Sequence, residues 1–131
     1  MQAEVRSAII CDDIRKEITG KDILIGVYSG AITVPSYPLT FPTAFWFEIE
    51  PKILGSLDFA FKITSPTGNP PIELGGTMQI VALEPTIFAI SGIPLHAEHD
   101  GDIVLSFRSG ENEWIEIKRK KIIRVSPGQT N

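Results

Sequence analysis

Ten prolines and eleven glycines punctuate this chain of 131 residues. Proline removes a backbone donor and clashes with the preceding helical turn, and glycine loses the most conformational freedom on ordering. After Pro35 no proline-free window carries an apolar repeat at helical spacing. The apolar residues between the breaks recur at every second position instead. Within 43–50, Phe45, Phe47 and Ile49 fall on one face, and Ala44, Trp46 and Glu48 on the other. Within 57–64, Leu57, Phe59, Phe61 and Ile63 alternate with Asp58, Ala60, Lys62 and Thr64. Within 102–108, Ile103, Leu105 and Phe107 alternate with Asp102, Val104, Ser106 and Arg108. Each is the pattern of a strand with one face on a core and one in water.

Turn residues separate the runs: Thr19-Gly20-Lys21, Ser65-Pro66-Thr67-Gly68-Asn69-Pro70-Pro71, Glu84-Pro85 and Ser109-Gly110-Glu111-Asn112. The last of these reads as a hairpin loop. About eight or nine short strands follow, which predicts an all-β fold. The expected form is a two-layer antiparallel β-sandwich, Ig-like, C2-like or jelly-roll-like. Residues 7–18 fit a helix about as well as a strand, but Ile9-Ile10 and the nearby Gly20 favour a strand. The expected organisation is one domain over 1–125 and a polar tail over 126–131.

The composition, 43% hydrophobic and 21% charged, is that of a globular chain able to bury a core without metal or disulfide staples. A net charge of −4 argues against a nucleic-acid surface. Cys11 stands alone, so no intrachain disulfide can form, and residues 1–6, with Glu4 and Arg6, contain no signal-like apolar run. The long uncharged stretch that ends at Phe47 holds Pro35, Pro38 and Pro42 and is no membrane helix. A soluble, cytoplasmic protein is expected.

Four segments bear on chemistry. Both histidines lie in His96-Ala97-Glu98-His99-Asp100-Gly101-Asp102, and His96, Glu98, His99, Asp100 and Asp102 are candidate metal ligands, with Asp12 or Asp13 as further donors. The same residues also suit an ordinary Asp-Gly turn. Cys11, next to Asp12 and Asp13, has carboxylate neighbours that raise a thiol pKa, so it reads as a small buried apolar residue. Lys118-Arg119-Lys120-Lys121 is the basic run, read as a solvated edge that resists sheet-to-sheet pairing rather than as a phosphate contact. The proline-rich stretch 34–42 reads as a rigid crossover between the two sheets. Tyr37 and Phe41 in it, with Trp46 on the strand that follows, are candidate protein-contact residues. No phosphate loop, nucleophile elbow, zinc-type cysteine spacing or dinucleotide fingerprint occurs, so no catalytic residue and no cofactor is assigned.

The string Ala8-Ile9-Ile10-Cys11-Asp12-Asp13-Ile14-Arg15, followed by Gly20-Lys21 and Leu24-Ile25-Gly26-Val27-Tyr28, resembles a family of small uncharacterised bacterial proteins. The Pro35, Pro38 and Pro42 spacing, the Ser65-Pro66-Thr67-Gly68 turn and the hairpin over 101–125 extend the resemblance. It implies a sandwich fold and carries no activity or site residue. The expected function is a non-enzymatic protein-interaction or structural module acting by self-association or on a bacterial partner. The alternative is a metal- or small-ligand-binding module, possibly enzymatic, built on 96–102.

Overall fold

A computed structural model describes residues 2–126, and among these every regular element is a strand. In chain order they are β1 (Ala3–Lys16), β2 (Asp22–Val27), β3 (Ile32–Val34), β4 (Leu39–Pro51), β5 (Gly55–Thr64), β6 (Ile72–Ile80), β7 (Thr86–Ala97), β8 (Gly101–Ser109) and β9 (Ile115–Arg124). They form two sheets, ordered β2-β1-β4-β7 and β3-β9-β8-β5-β6. All neighbours are antiparallel except β3 and β9. This is the all-β, two-layer sandwich that the alternation predicts. The expected polar tail lies, apart from Ser126, outside the described residues.

The core is the inner row of each alternating strand. Phe45, Phe47, Ile49, Leu57, Phe61, Ile103 and Leu105 are fully buried. Phe47 of β4 stacks on Phe61 of β5 across the two layers, with ring centroids 3.7 Å apart. Phe88 of β7 packs against Phe59 and Phe61 at 5.1 and 5.6 Å. No helix of the described residues is long and apolar enough to cross a membrane.

Two expectations need adjusting. The ambiguous N-terminal segment is a strand, but it starts at Ala3, earlier than the sequence pattern indicated. The crossover between sheets is also shorter than the whole proline-rich stretch, because β4 already begins at Leu39 and runs through Pro42. Pro42 faces Pro94 of β7 in the ladder, a pairing that proline tolerates where the missing N–H points away from the shared ladder. β1 pairs with β4 only up to Ala44, so no strand stands on the other side of Pro42 to require that donor.

The tip of the β1–β2 hairpin leaves the plane of its sheet. β4 separates β1 from β7 in strand order, yet Lys16, Asp22 and Leu24 line one cleft with Trp46, Thr86 and Ile87. Trp46 alternates with the core residues Phe45 and Phe47, so the hairpin folds over the outer face of its own sheet. Cys11 and Ala44, which oppose each other in the ladder, are fully buried. Gly26 permits this course. It has φ +69°, and a Cβ there would run into the Asp12 carboxylate.

Gly26→Ala is expected to destabilise the fold by about 1–2 kcal/mol through the left-handed backbone conformation alone. Gly76→Ala, where φ is ordinary and a Cβ would meet open space, is expected to be neutral or slightly stabilising. Urea unfolding midpoints of the two variants check this contrast.

Candidate functional site

The segment with both histidines closes one end of the sandwich. It joins β7 to β8, and its polar groups are taken up by neighbouring loops. Ser65 Oγ donates to the His96 carbonyl at 2.7 Å, and the Glu98 N–H donates to the Pro66 carbonyl at 2.8 Å. The Glu98 carboxylate accepts from the Gly68 N–H at 2.8 Å. Asp100 Oδ1 accepts from the Arg124 N–H and from the Tyr37 hydroxyl, both at 2.8 Å. The segment thereby ties together the β5–β6 loop, the β3–β4 crossover and the end of β9. Buried or crowded backbone donors need partners, and short acidic side chains supply them.

These bonds set the local acid–base behaviour. The Arg124 N–H, then the Tyr37 hydroxyl, hold the Asp100 carboxyl below its usual range. The Gly68 N–H does the same for Glu98. Burial, with the Asp100 charge beside it, pushes the Tyr37 hydroxyl up to about 12.

The five candidate ligands do not converge. His96 Nδ1 bonds Thr40 Oγ1 at 2.7 Å, and its Nε2 lies 3.9 Å from Glu98 Oε1. His99 Nδ1 lies 2.8 Å from the carbonyl of its neighbour Asp100. Asp102 is turned to the outer face of the five-stranded sheet, where Arg119 Nη1 donates to it at 2.8 Å. Asp12 and Asp13 stay on β1, bonded to Tyr28 and Arg15. Among the described residues no group of three or more His, Cys, Asp or Glu side chains is placed to hold a metal ion. Cys11 is buried, and burial raises its thiol pKa.

The candidate contact residues are likewise held within the molecule. Tyr37 is bonded to Asp100, and Phe41 is half-buried against the core. Trp46 donates its indole N–H to Asp22 Oδ2 at 3.1 Å, while Lys16 Nζ pairs with Asp22 Oδ1 at 2.8 Å. Trp46 therefore sits beneath the β1–β2 hairpin, neither in the sandwich core nor free at the surface.

The basic run divides by strand alternation. Lys118 and Lys120 oppose the buried Leu105 and Ile103 and so point inward. Lys118 Nζ donates to the Ala8 carbonyl of the other sheet at 2.7 Å. Burial, then the Lys118 charge, lowers the Lys120 pKa. Arg119 pairs outward with Glu116 and Asp102. β3 covers only the last three residues of β9, so the run lies along a half-open edge with inward-pointing lysines, a guard against strand addition.

Two groups escaped the sequence reading. One is the exposed aliphatic row Ile23, Ile25 and Val27 on β2. An uninterrupted apolar run reads as a buried strand, and only the strand order places it on an edge. The other is Trp114, which meets Lys62 and Arg108 from strands distant in sequence.

A family model described as a family of unknown function (DUF6941) matches residues 6–118. No curated protein matches the chain.

Asp100→Ala is expected to lower the thermal midpoint, because the Arg124 N–H and the Tyr37 hydroxyl both lose their acceptor, and Tyr37→Phe to lower it less. The folded-state carboxyl of Asp100 is held below its unfolded value, so its contribution is complete above the unfolded pKa and disappears as pH falls through the folded one. Melting curves across the acid range should show a shallower loss in the Asp100→Ala variant than in the parent.

Proposed function

The chain belongs to this family of unknown function, and from its own surface we propose that it is a non-enzymatic interaction module whose docking element is the free edge of β2. The observation that carries the reading is a contrast among the sheet edges. β7 is broken by Gly92 and Pro94, β6 by Gly75 and Gly76, and β3 has three residues and ends at Pro35. Such features discourage strand addition. β2 has no proline and no charge after Asp22, and it leaves Ile23, Ile25 and Val27 at 41, 44 and 52% exposure.

The pattern is also self-complementary. An antiparallel pairing centred on Ile25 sets Ile23 against Val27 of a second copy on one face, and Leu24 against Gly26 on the other. The resulting contact is isologous and closes as a dimer. A bacterial protein whose own edge strand fits this row is the other partner of the reading. The lone buried cysteine supports a cytoplasmic setting.

Size-exclusion chromatography with light scattering tests the proposal. The parent is expected to show concentration-dependent dimer, and Ile25→Lys to shift it to monomer at equal concentration with an unchanged unfolding midpoint. A parent that stays monomeric over the accessible concentration range and captures no partner through β2 contradicts the reading.

A further inference from the structure

The outer face of the five-stranded sheet carries a cluster that the β2 reading does not use. Trp114 leads into β9 and is half-buried. Lys62 Nζ stands 4.6 Å from its ring centroid, and the Arg108 guanidinium carbon 4.7 Å. Lys62 and Arg108 alternate with the core residues Phe61 and Phe107, so both point outward. Both rest on the indole. Neither side chain makes an ion pair or hydrogen bond among the described residues. Glu73 lies directly opposite Lys62 in β6, yet the ammonium rests on the ring. On the same face Arg119 is neutralised by Glu116 and Asp102.

Two like charges are thus held on one indole with their donors unspent. Cation–π attraction offsets their repulsion and fixes the head groups. A guanidinium stacked on an aromatic ring keeps its edge donors free, in the fork geometry that a carboxylate fits. We infer that Lys62, Arg108 and Trp114 form a binding site for the carboxylates of an acidic segment of a partner protein. Charge complementarity identifies the occupant, and the surroundings narrow it further. Asp58, Glu73, Asp102 and Glu116 share the face, and the chain carries −4 overall. An extended polyanion such as a nucleic acid meets that acidic ring, whereas a short peptide need place only one or two carboxylates between the cations. The site lies on the other sheet from β2, so it stands or falls independently of the strand-pairing reading.

The test is fluorescence anisotropy at low salt with a labelled short oligoglutamate, two adjacent glutamates in an otherwise uncharged peptide. An oligoglutamine of equal length and a single-stranded oligodeoxynucleotide serve as comparators. Oligoglutamate is expected to bind, to weaken as salt rises, and to lose about tenfold or more in affinity in Arg108→Gln and in Lys62→Met. Trp114→Leu is expected to weaken binding as well, because both cations lose their platform. Ile25→Lys should bind like the parent, which separates this site from β2. Unfolding midpoints of the outward-facing variants establish that they are folded. Equal binding of oligoglutamate and oligoglutamine, parent-like affinity in folded Arg108→Gln and Lys62→Met, or tighter capture of the oligonucleotide through these residues overturns the inference.

Discussion

The stacked contact of Phe47 on Phe61 lies at the centre of the packing that joins two separate hydrogen-bonded ladders. At 3.7 Å between centroids and 15° between planes, one ring from each layer occupies the middle of the core. Phe59, Phe88 and Phe107 surround the pair. Burial of these faces supplies the main driving force for folding, and the ring geometry adds a directional part. With the two layers held from the middle, the strand ends and edges are free to take other forms. At one place the hairpin folds back over its own sheet, at another a short acidic segment ties loops together, and along β2 an apolar row is left facing solvent.

The polar side chains of the molecule are largely committed to that architecture. Asp100, Glu98 and Ser65 satisfy backbone groups of neighbouring loops, Asp22 binds Trp46 and Lys16, and Lys118 bridges the gap between β9 and β1. Side chains that look like ligands or acid–base groups in the sequence serve here as internal hydrogen-bond partners. Two surface features lie outside that network, an aliphatic strand edge on one sheet and a cation pair on an indole on the other. These are the features on which the two proposals rest.

Much of the fold was legible because the strands of the core alternate strictly. Phe45, Phe47 and Ile49, or Leu57, Phe59, Phe61 and Ile63, can face only one way once the period is two. Strand order was not legible, because it depends on which ladders close, and that decides whether Ile23-Leu24-Ile25 is interior or edge. The 96–102 segment was recognised as polar and turn-forming, but its partners Tyr37, Gly68 and Arg124 lie 24 or more residues away in sequence. The same distance hid the Trp114 cluster. Pro42 reads as part of the crossover because proline ordinarily ends a strand, and the absence of β1 beside it is a tertiary fact.

A double-mutant cycle on Phe47 and Phe61, using Phe→Leu at each position and both together, addresses the joining of the two layers directly. If these rings link the sheets, urea unfolding should give a coupling energy of about 0.5–1.5 kcal/mol between them. Strictly additive losses, with no coupling outside error, would contradict the stacked inter-sheet contact on which the architecture rests.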